Sequence, residues 1–254
     1  MDDKHMTSRK LEKIPFLKIP LKEARKHLEP LSPQKRLTWA YEQFGPHLAI
    51  TTSFGIQSSV LLHMLYQLNS GNTIKVIWVD TGYLPKETYQ YAAALTDRLK
   101  LDVTVAQSII TPARMEALYG ELWNTNSLKD MGKYHRIRKV EPLEKALEDL
   151  DIYCWASGVR SSQTDNRSSM SILDRIRNRL SLRPILEWSQ KDIFYYMQTN
   201  DLPQHPLFEK GYSTIGDWHS SSPDTTDAAG RKTRFGGLQQ ECGIHIEDSN
   251  KEHK

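Results

Sequence analysis

Cys242 is the residue of this sequence best suited to act as a nucleophile. It stands in the run Glu241-Cys242-Gly243-Ile244-His245 and is one of only two cysteines. The surrounding segment is polar and loop-like, so the thiol is poorly placed for core packing. The thiolate is the reactive form of cysteine, and neighbouring cations favour it. We therefore expect Cys242 to be carried on a flexible C-terminal tail that closes over a binding site.

The second cysteine, Cys154, precedes Trp155 in the apolar run 152–157. A cysteine in such a run is typically a buried structural thiol. Two cysteines far apart in sequence make no disulfide framework, and the expected compartment is a reducing cytoplasm. If Cys242 is the reactive thiol, any reductant must come from outside the chain.

The stretch 53–59 has the composition of an anion-binding loop between a strand and a helix. A helix N-terminus offers unpaired N–H groups, Ser53 and Ser58 add hydroxyl donors, and Gly55 allows close backbone approach. Asp80 follows the next strand and could accept hydrogen bonds from a ribose or an adenine amine. The simpler alternatives are a serine N-cap and a turn aspartate. The loop lacks the Lys-Ser/Thr pair of a P-loop ATPase.

Strands and helices alternate along the chain, and these elements must position the groups named above. Apolar runs predict buried strands, and helical periodicity predicts the segments between them. The pattern predicts an α/β fold, an open, mostly parallel sheet with helices on both faces. Strands are expected at 47–52, 74–79, 103–106 and 152–157, and helices at 22–28, 37–44, 56–68, 85–99, 140–150 and 189–200.

Composition divides the chain into three parts. Residues 1–34 are interpreted as a vector-derived start (Met1–Met6) and an N-terminal arm, 35–201 as the nucleotide-binding α/β domain, and 202–254 as the tail. The hydrophobic fraction of 38% and charged fraction of 26% are ordinary for a soluble protein. No apolar stretch reaches the roughly 18 residues of a membrane span, and no secretory signal is visible. The net charge of +3 suits a small anionic ligand as well as a polyanion.

Several motifs of this chain, in this order and spacing, resemble those of the adenylyl-sulfate and phosphoadenylyl-sulfate reductases. The resemblance implies an adenine nucleotide α-hydrolase-like fold with a modified PP-loop. It covers about residues 35–246. The motifs are Ser53-Phe54-Gly55-Ile56-Gln57, Asp80-Thr81-Gly82-Tyr83, Arg138-Lys139-Val140-Glu141-Pro142-Leu143, Gly158-Val159-Arg160 with Gln163, Pro184-Ile185-Leu186-Glu187-Trp188, Gly211-Tyr212-Ser213-Thr214-Ile215-Gly216-Asp217 and the Glu241–His245 run.

Cysteine usage selects a branch of that family. Members that use adenylyl sulfate typically hold a 4Fe–4S cluster with two cysteine pairs. Here His135-Arg136 stands in place of the first pair, and Asp217 and Ser220 in place of the second. The resemblance therefore implies the cluster-free branch, which uses 3′-phosphoadenylyl sulfate and binds no cofactor. We expect no other metal at His135, Asp217 and His219, which lack ligand-like spacing.

The resemblance also implies a set of substrate-binding residues around the catalytic Cys242. Planar guanidinium groups suit phosphate and sulfate oxygens. The arginines at 175, 177 and 179 are instead interpreted as the solvated face of a charged helix. The expected substrate-binding residues are Ser53, Phe54, Gly55, Gln57, Ser58, Asp80, Arg138, Lys139, Arg160, Gln163, Arg167, Tyr212, Arg234 and His245.

The mechanism implied by the family is attack of the Cys242 thiolate on the sulfonate sulfur, followed by release of sulfite by reduced thioredoxin or glutaredoxin. A homodimer is also expected. Relatives often carry a basic residue before the Glu-Cys pair, where this chain has Gln239-Gln240. Activation of the thiol must then come from Arg234, His245 or the pocket. A second departure is Ser161-Ser162, where many relatives have Arg-Glu.

Three other functions stay open at this point. A PP-loop enzyme that adenylates its substrate with ATP usually reads Ser-Gly-Gly-x-Asp-Ser, and it would leave the cysteine tail unexplained. A nucleotide-binding module without catalysis would have no use for Cys242. An adenylyl-sulfate reductase without a cluster is the third.

Overall fold

A computed structural model describes residues 19–68, 74–237, 241 and 243–245, and in it a six-stranded sheet forms the centre of the molecule. The strand order is β3-β2-β1-β4-β6-β5, and every neighbouring pair is parallel except β5 and β6. The strands are β1 (Leu48–Thr52), β2 (Lys75–Val79), β3 (Asp102–Ala106), β4 (Cys154–Ser157), β5 (Leu173–Ile176) and β6 (Arg179–Leu182). From β1 the sheet extends through β2 and β3 on one side and through β4 on the other, so the strand order reverses at β1. Open α/β sheets bind ligands at such a switch point.

Helices cover both faces of the sheet. A π-helical turn, Arg136–Val140, joins α6 to α7. The helices of the described residues are α1 (Leu21–Leu28), α2 (Pro33–Phe44), α3 (Ser58–Leu68), α4 (Lys86–Arg98), α5 (Pro112–Tyr119), α6 (Leu128–His135), α7 (Glu141–Asp149), α8 (Asp165–Ser168) and α9 (Gln190–Thr199). No helix in this described part is long and apolar enough to span a bilayer.

Strand periodicity divides the core between the two faces. Leu48 and Ile50 of β1 pack into one apolar cluster with residues of α2, α3 and α9. Ala49, between them, belongs to the opposite cluster with Leu147 of α7 and Trp155 of β4. Successive strand side chains point to opposite faces, so both faces must be covered. The expected open, mostly parallel α/β sheet is confirmed.

The segment 173–182 differs from the sequence-based expectation of a charged helix. It forms the β5–β6 hairpin, in which Leu173 and Leu182 are opposite each other and buried. Arg177 and Asn178 make the turn with φ values of 47° and 62°, the two positive angles of a tight hairpin turn. Residues 173–176 and 179–182 pair as antiparallel strands, so the helical interpretation was wrong. Helices α5 and α6 were not predicted either.

The C-terminal segment from 202 to 237 is loop-like, as expected, with two 3-10 turns at Trp218–Ser220 and Gly230–Gly237. It lies against the carboxyl end of β2, where the Trp218 amide donates to the Tyr83 carbonyl oxygen at 2.8 Å. The Thr81 hydroxyl donates to the Asp217 carboxylate beside it. The segment therefore crosses the edge of the sheet where the ligand site is expected.

Candidate active site

The loop between β1 and α3 is anchored by Phe54. This side chain is fully buried, its φ is +47°, and its ring packs edge-on against Trp78 at 5.0 Å. The Phe54 amide donates to the Thr52 hydroxyl at 3.0 Å. The backbone amide and hydroxyl of Ser58 both donate to the Gly55 carbonyl oxygen, at 3.0 and 2.8 Å. Phe54 thus holds the loop in place, and its neighbours face the cavity.

A cavity of about 220 Å³ opens beside this loop, between the carboxyl ends of β1 and β4. Polar side chains and apolar residues of both strands line it. Of the predicted site residues, the structure brings together Ser53, Gly55, Gln57, Ser58, Arg160, Gln163, Arg167 and His245.

Arg160 is the cation in the cavity wall without a carboxylate partner among the described residues. Its side chain is buried and donates to the Gln57 side-chain oxygen, and its backbone amide donates to Gln163 at 3.0 Å. Burial, reinforced by the charge of Arg167, lowers the pKa of Arg160 to about 10. The lowered pKa reports a cation whose charge is poorly compensated. Such a group is suited to bind an anionic ligand.

Arg167 binds a carboxylate of the tail. Its Nε and Nη2 donate to the two oxygens of Glu241 at 2.8 and 2.9 Å, a bidentate pair in which both side chains are buried. The Thr164 hydroxyl donates to Glu241 Oε1 at 2.7 Å. Burial acts to raise the pKa of Glu241, but Arg167 outweighs it and the pKa lies below its usual value. The tail carboxylate is therefore ionised and fixed at the cavity.

His245 also belongs to the cavity wall. Its ring stacks on Trp155 with the centroids 5.3 Å apart, and its Nδ1 is buried without a hydrogen-bond partner among the described residues. Burial, followed by the nearby charges of Arg167 and Arg183, lowers the pKa of His245 well below its usual value. The imidazole is neutral in this arrangement. Among the described residues of the cavity wall, the positive charge therefore comes from arginines and not from an imidazolium.

The predicted nucleophile, Cys242, lies outside the described residues, as do Gln239 and Gln240. The residues on each side of Cys242 are described. Glu241 is held by Arg167, and Gly243 lies against Val140, whose methyl carbon would be 3.6 Å from a Cβ at that position. Glu241 is thereby bound to the cavity wall, and Gly243 directly precedes Ile244, which lines the cavity.

Comparison with known proteins gives this site a context. The model of the phosphoadenosine phosphosulfate reductase domain matches residues 47–223. The chain belongs to this reductase family. A phosphoadenosine 5′-phosphosulfate reductase of Synechococcus sp. is 50% identical over 92% of this chain and 100% of the relative, and one of Synechocystis sp. is 46% identical over 90% and 92%.

Solved structures agree with that membership. A phosphoadenylyl-sulfate reductase of Candida auris in a phosphate complex has a TM-score of 0.66 and 26% identity, covering 79% of this chain and 95% of that chain. An FMN adenylyltransferase of Candida glabrata has a TM-score of 0.57 at 12% identity, covering 81% and 70%. The second likeness shows only the shared fold.

Several residues implied by the family resemblance do not line the cavity. Asp80 is occupied within the protein: Oδ1 accepts from the Gly82 amide and the Tyr89 hydroxyl, and Oδ2 accepts from Gln107 at 2.6 Å. Tyr212 packs in a small apolar cluster with Ile56. Their contact with substrate stays a prediction. The full set outside the cavity wall is Phe54, Asp80, Arg138, Lys139, Tyr212 and Arg234.

Arg138 and Lys139, from the family's Arg-Lys-Val-Glu-Pro-Leu motif, are buried and already engaged. Arg138 donates to the carbonyl oxygens of Thr81 and Ile110 and so joins the loops after β2 and β3. Lys139 pairs with Asp217 at 2.6 Å. Both side chains are oriented by the π-helical turn between α6 and α7, a feature frequent at functional sites.

A buried polar cluster lies beside the π-helical turn. It contains His135, Asp217 and Ser220, together with Lys139 and Arg234, whose Nη2 donates to Ser220 at 3.0 Å. Within the described ranges, no group of three or more His, Cys, Asp or Glu side chains is arranged to bind a metal ion.

Sequence reasoning missed some residues of the site. Arg231 and Ile244 line the cavity, as does Ser157, whose buried hydroxyl has no hydrogen-bond partner among the described residues. Ser157 could have been found, since it ends β4 at the carboxyl edge of the sheet. Arg177, interpreted as solvated, contacts the tail instead. That contact left no signal in the sequence.

Proposed function

We propose that this protein reduces 3′-phosphoadenylyl sulfate to sulfite and adenosine 3′,5′-bisphosphate, with Cys242 as the nucleophile. The observation that carries the proposal is the position of the tail. Glu241, which precedes Cys242, is bound by Arg167 of the cavity wall, and Ile244 and His245, which follow it, line the cavity. The same wall contains Arg160, a cation without a carboxylate partner among the described residues. A cationic cavity beside a thiol matches a polyanionic substrate attacked by a thiolate.

In the first step, the Cys242 thiolate attacks the sulfonate sulfur. The new S–S bond forms as the bond between that sulfur and the bridging oxygen breaks. The oxygen leaves with the electron pair as part of adenosine 3′,5′-bisphosphate, and the enzyme keeps a Cys242 S-sulfonate. We propose that Arg160, in the cavity wall, offsets the negative charge that grows on the leaving phosphate.

In the second step, a thiolate of reduced thioredoxin, or of glutaredoxin, attacks Cys242 Sγ. Sulfite leaves with the electron pair of the S–S bond, and a mixed disulfide forms between the two proteins. The donor's second cysteine, as thiolate, then attacks the sulfur of the donor's first cysteine in that mixed disulfide. This forms the donor's disulfide and releases Cys242 as a thiolate. The donor gives up two electrons per sulfite and ends as a disulfide.

The need for an external donor follows from the other cysteine. Cys154 is fully buried in β4, and burial raises the pKa of its thiol. A buried, protonated thiol cannot act as a resolving thiolate. We accordingly propose that the protein works without an iron–sulfur cluster or other cofactor. We further propose that it is a cytoplasmic homodimer acting in assimilatory sulfate reduction.

The test is sulfite release with reduced thioredoxin. We expect release from 3′-phosphoadenylyl sulfate by wild type and by Cys154→Ser, and a loss of at least about 1,000-fold in Cys242→Ser, as for other removed nucleophiles. Full activity of Cys242→Ser would exclude the mechanism. Equal turnover of adenylyl sulfate would favour a cluster-free adenylyl-sulfate reductase. Iron analysis of the active protein should find no stoichiometric iron.

A further inference from the structure

The turn of the β5–β6 hairpin lies next to the catalytic tail. Arg177, the first residue of that turn, donates from Nη2 to the Ile244 carbonyl oxygen at 2.7 Å and from Nη1 to the Gly243 carbonyl oxygen at 3.4 Å. Its Nε donates to Glu144 Oε1 of α7 at 2.5 Å. One guanidinium thus joins a helix, a hairpin and the tail.

Arg177 is also held by contacts outside the tail. Glu144 also accepts from Arg179 at 3.0 Å, so its carboxylate is fixed between two arginines of the same hairpin. The Arg177 side chain is 13% exposed, which limits screening of its charge by solvent. A planar fork oriented by one carboxylate presents its remaining N–H groups in a defined direction. Here they point at two successive backbone carbonyls.

The tail is held on the other side of Cys242 as well. Arg167 and Thr164 bind the Glu241 side chain, and Ile244 packs against the apolar cluster of α7 and β4. The peptide that carries the nucleophile is therefore fixed at both flanks. Attack on sulfur needs the two reacting atoms at near-contact distance, and a shift of about 1 Å lowers the rate steeply.

We propose that Arg177 is a positioning residue that clasps the backbone at 243–244 and so restrains the segment that carries Cys242. The proposal rests on the proposed role of Cys242 as nucleophile. Arg177 contacts no reacting atom, and its effect acts through the tail. Arg179 is the matched control, because it shares Glu144 but donates its Nε to the Ile152 carbonyl oxygen and makes no described contact with the tail.

The first measurement does not depend on activity. Iodoacetamide alkylation of the two cysteines is followed by mass spectrometry in the ligand-free protein. Arg177→Gln removes a charge-assisted hydrogen bond and should speed alkylation of Cys242 about tenfold, with Arg177→Lys intermediate. Arg179→Gln frees one side of Glu144 but keeps both hydrogen bonds from Arg177 to the tail, so it should raise the rate by no more than about twofold. Equal rates in the two Gln variants would overturn the clasp.

The alkylation rate of Cys154 shows whether the β5–β6 hairpin has detached from the sheet, because Cys154 lies in β4, which pairs directly with β6. Exposure of Cys154 together with Cys242 in Arg177→Gln would mean that the hairpin has opened, and this outcome also counts against a specific clasp. Selective exposure of Cys242 supports it.

The second measurement is turnover. In Arg177→Gln we expect kcat for sulfite release to fall about tenfold while the Kd for adenosine 3′,5′-bisphosphate stays unchanged, the result expected when a group acts only on the reacting geometry. A weaker Kd at unchanged kcat would overturn the positioning role. If the wild type releases no sulfite, the proposed function fails, while alkylation still decides whether Arg177 holds the tail.

Discussion

The ammonium of Lys139 lies 2.6 Å from a carboxylate oxygen of Asp217, with the two side chains 8% and 0% exposed. Burial acts to raise the pKa of Asp217, but the charges of Lys139 and Arg234 and the hydrogen bond from Thr81 hold it well below its usual value. The pair joins the π-helical turn to the C-terminal segment. Two charges buried together depend on each other, because neither has water to replace its partner.

Asp217→Asn should therefore destabilise the protein by about 3–5 kcal/mol, since it leaves Lys139 buried and uncompensated. Urea unfolding measures the change. The exposed i,i+4 pair Lys145–Asp149 is the control, and Asp149→Asn should cost under about 1 kcal/mol. The double variant Lys139→Met/Asp217→Leu should recover part of the loss. If Asp217→Asn and Asp149→Asn lowered the free energy of unfolding by similar amounts, the buried pair would contribute no more to stability than the exposed one.

Gly216 leaves room for Arg234. A Cβ on Gly216 would lie 2.5 Å from Arg234 Cζ, and the buried guanidinium is held in place by its Nη2 donating to the Ser220 hydroxyl. Gly216→Ala must displace Arg234 and should cost about 1–3 kcal/mol in urea unfolding. Gly132, in α6, has nothing within 4 Å of its Cβ position. Gly132→Ala should raise the free energy of unfolding by up to about 1 kcal/mol. If both substitutions changed the free energy of unfolding in the same direction, the prediction for Gly216 would be wrong.

Gly243 gives the tail its path past Val140. Its φ is +77°, a conformation that costs a residue with a Cβ about 1–2 kcal/mol. Gly243→Ala should weaken the held state of the tail and raise the alkylation rate of Cys242 by about 5–30-fold. Gly120, at the end of α5 and away from the site, also has a positive φ, +72°, so an alanine there would be strained as well. Gly120→Ala should lower stability but leave Cys242 alkylation unchanged, and an equal rise in both would refute the prediction.

Stability should fall on mild acidification because buried histidines are neutral. Burial lowers the pKa of His135 from 6.5 to about 2 and that of His205 to about 4. His205 Nδ1 accepts from the Leu207 amide at 3.1 Å, a bond that protonation would break. Below pH 6.5 the unfolded chain binds protons that the folded protein does not, so the free energy of unfolding decreases as the pH falls.

The expected slope is up to about 1.4 kcal/mol per pH unit for each histidine, between pH 6.5 and about 4.5. Urea unfolding at pH 7.5, 6.5, 5.5 and 4.5 measures it. The double variant His135→Phe/His205→Gln should flatten the curve in this window. An unchanged slope in the double variant would mean that other groups control the acid sensitivity.

The sequence correctly predicted those parts of the fold whose pattern of apolar and polar residues lies within a single segment. The buried runs around Ile50 and Ile77 and the amphipathic helices between them predicted the parallel sheet, because each carries its own periodicity. The hairpin was missed since its strands are four residues each and rich in arginine. Short charged strands give a weak pattern until a neighbouring strand pairs with them.

The candidate site divides in the same way. The loop after β1 was predicted from its residue types, and Arg160 and His245 from the family resemblance. The structure brings Ser53, Arg160 and His245 to one cavity. Lys139 and Arg138 carry the same motif signal but are engaged with Asp217 and with backbone carbonyls. A motif identifies a residue as important without saying which partner it contacts.

The sequence by itself determined the α/β class and the strand–loop–helix at 53–59, and it predicted the roles of that loop and of Cys242, because these depend on residues adjacent in the chain. Only the tertiary structure decided the charge partners. Arg167 meets Glu241 across 74 residues, and Arg177 meets the Ile244 carbonyl across 67. The energy of an ion pair or hydrogen bond depends on distance, direction and burial, and these exist only once the strands have been brought together.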